Sequence, residues 1–152
     1  MDEGQDFLVY VDFAHAPDSM ANVYEYVRGI LAPDRRLITV FGAAGARDTL
    51  KRPLMGKVST SMCDHVIFTE HDNRNEAVEN ITEDIITGVV SDNWEFILDR
   101  TEAIRKAFSM ARPGDAVAIV GKGEEKFIYR SYGKQVWMGD EVCAAKLLKG
   151  EL

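Results

Sequence analysis

Residues 37–57 read LITVFGAAGARDTLKRPLMGK, and this stretch combines a strand, a loop and the start of a helix. Leu37–Phe41 is apolar and rich in β-branched and aromatic residues, which is typical of a buried strand. The strand ends at Gly42, and Pro53 suits the first turn of a helix because its missing N–H needs no partner there. The stretch therefore predicts a strand–loop–helix unit whose loop leaves the carboxyl end of the strand.

The loop in this unit is a candidate anion site. Its small residues let backbone amides approach a ligand, and a helix start adds a partial positive charge. The alternative is an ordinary solvated turn, because neither G-x-G-x-x-G nor G-x-x-x-x-G-K-[ST] is present. The residues of this loop leave both interpretations open. Its charged members are Arg47, Asp48, Lys51 and Arg52.

Composition predicts one globular domain over residues 1–152, with 46% hydrophobic residues to form a core. A net charge of −7 argues against nucleic acid or an anionic membrane as a partner. The acidic N-terminus lacks the features of a signal peptide, and no apolar run approaches the ~20 residues of a membrane helix. We expect a cytoplasmic protein in which Cys63 and Cys143 are buried thiols.

Strands and helices alternate along the chain, so we predict an α/β fold with a mostly parallel, Rossmann-like sheet flanked by helices. A C-terminal antiparallel hairpin turns at Gly133, and a final helix follows it. Polar loops follow four strand ends and should meet at one edge of the sheet. These loops lie around His15, Arg47, Asn73 and Gly121.

Several polar residues have a purely structural interpretation beside any functional one. Asn73 and Glu76 are spaced as a capping box, which would explain the polar run before the next helix. Asp99 is spaced to cap another helix, and Asp140 is placed to cap the last one.

Five motifs together resemble the C-terminal domain of the Mur ligases, in particular the UDP-N-acetylmuramyl-tripeptide synthetases. Residues 11–18 (VDFAHAPD) are similar to V-D-Y-A-H-x-P-D, and residues 41–48 (FGAAGARD) to F-G-x-G-G-x-R-D. Residues 51–56 (KRPLMG) are similar to K-R-P-x-M-G, residues 72–73 (DN) to the start of D-N-P, and residues 121–125 (GKGEE) to G-K-G-H-E. The resemblance covers nearly the whole chain, with the motifs in the family's order.

The resemblance implies an ATP-dependent amide ligation in peptidoglycan synthesis. ATP phosphorylates a carboxylate of UDP-N-acetylmuramoyl-dipeptide, and the amine of a small amino acid attacks the acyl phosphate. It implies that ATP and Mg²⁺ are held mainly by a central domain absent from this chain. The partners implied are the central and N-terminal domains of the same ligase, and this domain alone is expected to be inactive.

The resemblance also assigns residue roles, although it gives this chain no catalytic residue and no metal ligand. A guanidinium is a planar donor for the carboxylate of the incoming amino acid. His15 has the alternative role of satisfying backbone groups at a strand end. The amino-acid side comprises Arg47, Asp72, Asn73, Asn75, Gly121 and Glu125, and the nucleotide side comprises Asp12 and His15.

Departures from the family pattern bear on the substrate. Family members that add diaminopimelate carry D-N-P-R, whereas here Asn75 stands at the arginine position and Arg74 at the proline position. Glu124 replaces the histidine of G-K-G-H-E, and residues 42–48 resemble the lysine-adding form of that loop. We therefore expect lysine or a similar basic amino acid rather than diaminopimelate.

Three alternatives stay open from the sequence. The first is a related ligase of the cyanophycin or folylpolyglutamate type, which the combination of K-R-P-L-M-G with D-N disfavours. The second is a stand-alone nucleotide-binding module, which the missing G-x-G-x-x-G disfavours. The third is a regulatory binding domain without catalysis.

Overall fold

A computed structural model describes all residues, 1–152, as seven strands and five helices. The strands are β1 Leu8–Asp12, β2 Leu37–Phe41, β3 His65–Phe68, β4 Trp94–Phe96, β5 Ala116–Val120, β6 Phe127–Arg130 and β7 Gly133–Val136. The helices are α1 Pro17–Ile30, α2 Lys51–Met62, α3 Val78–Ile86, α4 Arg100–Met110 and α5 Asp140–Leu148. None of these helices combines the length and apolar character that crossing a bilayer would require.

The first five strands form one parallel sheet in the order β1-β5-β2-β3-β4, as the alternation of elements predicts. In the central register, Val40 aligns with Ile119 on one side and Ile67 on the other. Strands β6 and β7 form a separate antiparallel hairpin, which confirms the predicted C-terminal hairpin. The carboxyl ends of β1, β2, β3 and β5 therefore lie along one edge of the sheet.

Two hydrophobic clusters cover the two faces of this sheet. Leu37 and Phe41 of β2 pack with helices α1, α2 and α3, whereas Ile38 and Val40 pack with α4 and α5. Because both faces are covered, β2 and β5 are apolar at nearly every position instead of alternating. Cys63 and Cys143 are buried and unbridged, as predicted.

The helix ends confirm some of the predicted caps and correct others. Asp99 caps α4 by accepting a hydrogen bond from the Glu102 N–H at 2.9 Å. Asn73 and Glu76 form no capping box, because α3 begins at Val78. Helix α2 begins at Lys51, two residues before Pro53, so the proline lies in the first turn of the helix, as predicted.

Asp140 does not serve as the predicted cap of α5 but forms a fully buried ion pair with Arg100. Arg100 Nε donates to one carboxylate oxygen at 2.8 Å, and Nη2 donates to the other at 2.7 Å. The same guanidinium donates to the carbonyl oxygens of Glu70 and Val120. This arginine therefore ties α4 and α5 to the loops at the carboxyl edge of the sheet.

Candidate functional site

Four loops converge at the carboxyl edge of the sheet, as the sequence predicts. The Gly45 N–H donates to the Asp72 carbonyl at 2.7 Å, which joins the loop after β2 to the loop after β3. The Gly121 N–H donates to the Asp12 carbonyl at 3.1 Å, which joins the loop after β5 to β1. His71 Nε2 lies 3.1 Å from the Gly121 carbonyl oxygen and links the β3 and β5 loops.

The loops after β2 and β3 touch backbone to backbone. A Cβ added at Gly42 would lie 2.1 Å from the Thr69 carbonyl oxygen. A Cβ at Gly45 would lie 2.0 Å from the Asn73 carbonyl oxygen. These glycines are therefore required for close approach between the loops, and the predicted small-residue loop packs against protein as well as facing solvent.

Arg47 is exposed and forms no side-chain hydrogen bond within the chain. Its loop is held by the neighbouring Arg52, whose side chain is 1% exposed. Arg52 donates to the Ala44 carbonyl at 3.0 Å and to both carboxylate oxygens of Glu76. Arg52 thus holds the loop from its buried side, while the Arg47 guanidinium is exposed to solvent.

Glu76 completes this anchor from the β3 loop. One carboxylate oxygen accepts the Ala46 N–H at 2.7 Å, and both oxygens accept from Arg52. The Arg52 hydrogen bonds, followed by the one from Ala46, lower the pKa of Glu76 from 4.5 to about 2. Glu76 therefore stays ionised and rigidly placed over the ordinary pH range.

Lys122 is the site residue that our sequence assignment missed. Its ammonium is fully buried and lies 2.8 Å from Asp72 Oδ1 and 2.8 Å from Glu125 Oε2. Burial alone would raise the pKa of Asp72, but hydrogen bonds from Lys122 and from the Tyr129 N–H outweigh it and lower that pKa. The sequence did contain a signal for this site residue. Lys122 follows an entirely buried strand and lies three residues before Glu125, where an ion pair can form.

His71 connects this ion-pair network to the backbone. Nδ1 accepts the Asp72 N–H at 2.7 Å, so Nε2 carries the proton and donates to Gly121. Burial, together with the positive charges of Arg100 and Lys122, lowers the pKa of His71 to about 4. His71 is therefore a neutral structural link between the two loops.

The ligand atoms of His71, Asp72 and Glu125 lie within 4.8 Å of one another, a spacing at which a cation could bind. The Lys122 ammonium already contacts both carboxylates of this trio. Mg²⁺ prefers six near-octahedral oxygen ligands, including several waters, and this arrangement does not fit it. The cluster is accordingly an internal ion-pair network.

Asn73 is held by groups of its own chain. Its Oδ1 accepts from Arg130 of the hairpin at 2.8 Å, and its Nδ2 donates to the Glu76 carbonyl at 3.0 Å. Arg130 also pairs with Glu70 at 2.7 Å. Asn75, two residues on, is exposed. The hairpin therefore fixes Asn73 at the edge of the site and leaves Asn75 on the surface.

A cavity of about 390 Å³ lies beside β1. Asp12 lines it, whereas His15 is exposed outside it with Nδ1 3.0 Å from the Phe13 carbonyl oxygen, the structural role considered above. Carboxylates accept hydrogen bonds from hydroxyl groups and repel phosphates, so this cavity suits a sugar. The lining residues are Val11, Asp12, Phe13, Gly123, Glu124, Glu125 and Glu141.

Comparisons with known proteins agree with this architecture. A family model described as "Mur ligase, glutamate ligase domain" matches residues 1–123. The UDP-N-acetylmuramoyl-L-alanyl-D-glutamate–2,6-diaminopimelate ligase of Syntrophomonas wolfei is 42% identical to the whole chain, which spans 31% of that protein. A solved structure of a ligase with the same name has a TM-score of 0.89 at 31% identity, with 99% of this chain and 31% of that chain covered.

A more distant structure shares the fold alone. The folylpolyglutamate synthase of Mycobacterium tuberculosis, complexed with ADP and AMPPCP, has a TM-score of 0.55 at 17% identity. The match covers 74% of this chain and 26% of the synthase.

The chain spans about a third of the length of its named relatives. Their names specify 2,6-diaminopimelate, which gives no support to the expected lysine-like amino acid. The family model matches well over half of the residues, along a chain that carries the family's motifs on converging loops. The chain therefore belongs to the family of the Mur ligase, glutamate ligase domain.

Proposed function

We propose that this chain is the C-terminal domain of an ATP-dependent ligase in cytoplasmic peptidoglycan synthesis. The ligase would join a third amino acid, of the diaminopimelate type, to UDP-N-acetylmuramoyl-L-alanyl-D-glutamate. Support comes from the 42% identical relative of that name, of which this chain spans 31%. The domain would work with central and N-terminal domains of the same ligase and would be inactive alone.

One observation carries this proposal: the Arg47 guanidinium has no partner within the chain, while its loop is rigidly anchored beside Asp72 and Asn73. A guanidinium that has no carboxylate partner and is carried on an anchored loop is suited to bind the carboxylate of an amino acid. Glu125 is half-buried, and its Oε2 is held by Lys122. Glu125 can therefore accept from an ammonium group of the same ligand.

In this reaction the domain would contribute by positioning the incoming amino acid. In the ligation, the amine of the amino acid attacks the acyl phosphate of the dipeptide, an amide bond forms and phosphate leaves. Holding the amine at a fixed distance from the acyl phosphate replaces a bimolecular encounter by an effectively intramolecular step. Arg47 would bind the carboxylate, and Gly121, Asn73 and Glu125 would border the side chain. Asn75, which is exposed, would lie at the outer rim.

ATP would meet this domain through the acidic cavity beside β1. Asp12 Oδ1 accepts the Ala14 N–H at 2.8 Å, which fixes the carboxylate and leaves its second oxygen for a ribose hydroxyl. His15, exposed beside Phe13, would contact the nucleotide only from outside the cavity. The phosphates and Mg²⁺ would be bound by the other domains.

The test measures the ligation kinetics of the full-length ligase that carries Arg47→Ala. We expect the KM for the amino acid to rise about 100-fold, because a charge-assisted bidentate contact is lost, with the KM for ATP nearly unchanged. Arg112→Ala is the matched control, since Arg112 is exposed at the opposite edge of the sheet. Equal effects on both KM values would contradict the proposed role of Arg47. Absence of ligase activity in the unmutated full-length protein would contradict the proposed function.

A further inference from the structure

The hairpin of β6 and β7 lies beyond the part of the chain that the family model matches, which ends at residue 123. It is nevertheless fixed to the core of the domain. Ile128 of β6 and Trp137, which follows β7, are both buried in the hydrophobic cluster on the α4 and α5 face of the sheet. The Trp137 N–H also donates to the Lys126 carbonyl at 2.7 Å. The hairpin is therefore held in a set position relative to the sheet.

Strand β6 contacts three consecutive residues of the loop after β3. The Tyr129 N–H donates to Asp72 Oδ1 at 3.0 Å, and the Tyr129 carbonyl accepts the Arg74 N–H at 2.9 Å. Arg130 Nη1 donates to Asn73 Oδ1 at 2.8 Å. Arg74 has a φ of +50°, a left-handed conformation that is unfavourable for a residue with a Cβ. The hairpin therefore helps to hold this loop in a conformation that the residue type alone does not favour.

The direction of the Asn73 side-chain amide is fixed at both ends. A guanidinium can only donate, so the end of the amide that faces Arg130 is its oxygen. A carbonyl can only accept, so the end that lies 3.0 Å from the Glu76 carbonyl is the nitrogen. Turning the amide over would place donor against donor at one end and acceptor against acceptor at the other. Both contacts therefore select the same orientation.

Arg130 is itself held by an acidic residue on its other side. The same Nη1 lies 2.7 Å from Glu70 Oε2, and the two side chains are 17% and 11% exposed. Arg130 Nε donates to Gln135 Oε1 of β7 at 3.1 Å. A single nitrogen of Arg130 thus joins Glu70 to Asn73, so one ammonium group could make both contacts.

We propose that Arg130 is a positioning residue of the amino-acid site, which acts by fixing the donor and acceptor ends of the Asn73 amide. This inference rests on the proposed function, in which Asn73 borders the side chain of the incoming amino acid. It extends that site to a hairpin beyond residue 123. Without Arg130 the amide can adopt two orientations, and only one of them suits the ligand. The amino acid then binds more weakly, while the chemical step is unchanged.

The experiment measures the ligation kinetics of the full-length ligase that carries Arg130→Met, which removes both contacts of Nη1. We expect the KM for diaminopimelate to rise about 10-fold, with kcat and the KM for ATP within about twofold of the parent. Arg130→Lys should keep the KM for diaminopimelate within about threefold of the parent, because one ammonium can donate to Asn73 and pair with Glu70. Lys134→Met is the matched control, since Lys134 is exposed on β7, and it should behave as the parent.

Two further variants separate positioning from stability. Glu70→Gln removes the charge that faces Arg130 and should make unfolding easier, as Arg130→Met does. It keeps an oxygen acceptor for Arg130, so the KM for diaminopimelate should stay within about twofold of the parent. In an Asn73→Ala background, Arg130→Met should raise that KM by less than about twofold more, because the residue through which Arg130 acts is already absent.

Three results would overturn the role of Arg130. They are additive effects of Arg130→Met and Asn73→Ala on the KM for diaminopimelate, an equal rise of that KM with Glu70→Gln, and no recovery with Arg130→Lys. Each would show that Arg130 supports only the fold, and each would leave the ligase assignment standing. An unmutated full-length protein that ligates no amino acid would instead overturn the ligase assignment itself.

Discussion

The two edges of the parallel sheet use buried carboxylates in different ways. At the amino edge, Asp115 accepts the backbone N–H groups of Arg36 and Arg112, each at 2.9 Å, and the Arg36 guanidinium at 2.8 Å. At the carboxyl edge, Asp72 accepts from Lys122 and the Tyr129 N–H, but the exposed guanidinium of Arg47 has no carboxylate partner in the chain. The Asp115 carboxylate at the amino edge is satisfied within the chain, whereas the Arg47 guanidinium at the carboxyl edge has no partner within the chain.

The difference shows how the same interaction can serve stability or function. Asp115 joins the turn before β5 to the start of β2, so its contacts hold neighbouring strands together. Asp72 joins loops that follow strands, where the sheet itself does not fix the geometry. A buried charge at the amino edge should therefore matter for folding alone, and one at the carboxyl edge for folding and binding together.

The largest expected effect comes from Lys122→Met at the carboxyl edge. Removing a fully buried cation leaves Asp72 without its charge partner, and we expect a loss of about 3 kcal/mol in the free energy of unfolding. Urea denaturation of the 152-residue chain measures this loss. Lys146→Met is the control, because Lys146 is exposed on α5 and should change stability by less than about 0.5 kcal/mol. Equal stability of the two variants would show that the ion-pair network is not a fixed part of the site.

A smaller loss is expected from Asp115→Asn at the amino edge. The amide keeps part of the hydrogen bonding but loses the charge that faces Arg36, so unfolding should become easier by about 2 kcal/mol. In the full-length ligase, the KM for the amino acid should stay unchanged. A raised KM would mean that Asp115 at the amino edge influences binding at the carboxyl edge, which would contradict the separate roles of the two edges.

The smallest expected effect is the pH dependence that Glu76 gives to the free energy of unfolding. Its pKa is about 2 in the folded chain against 4.5 ordinarily, so its stabilisation is present above about pH 4.5 and is lost as the pH falls towards 2. Because the Glu76 side chain is 32% exposed, solvent screening reduces the contribution to about 1 kcal/mol at neutral pH. Unfolding of the parent and of Glu76→Gln should therefore differ at pH 7 and converge near pH 2. A difference that is constant with pH would mean that the Arg52 contact does not depend on the charge of Glu76.

The order of strands and helices was predictable because apolar runs and helical spacing are local signals. The convergence of the loops followed from that order, since the carboxyl ends of parallel strands share one edge. Pro17 at the first position of α1 and the Asp99 cap were also readable, because each acts within one turn of a helix.

What the sequence did not reveal depends on partners far apart along the chain. Lys122 meets Asp72 across 50 positions, and Arg100 meets Asp140 across 40, so no local spacing indicated either pair. The predicted role of Asp140 as a cap was wrong for that reason. The left-handed backbone at Arg74 was equally hidden, because arginine rarely adopts it and the groups that hold it, the Tyr129 and Gly45 carbonyls, lie far along the chain.

Gly45 gives the carboxyl edge one further property. With no room for a single methyl group between it and Asn73, the loops that hold Arg47 and Arg74 cannot slide past each other or be respaced independently. Main-chain contact therefore sets the separation of these two loops, independently of the side chains exposed on them.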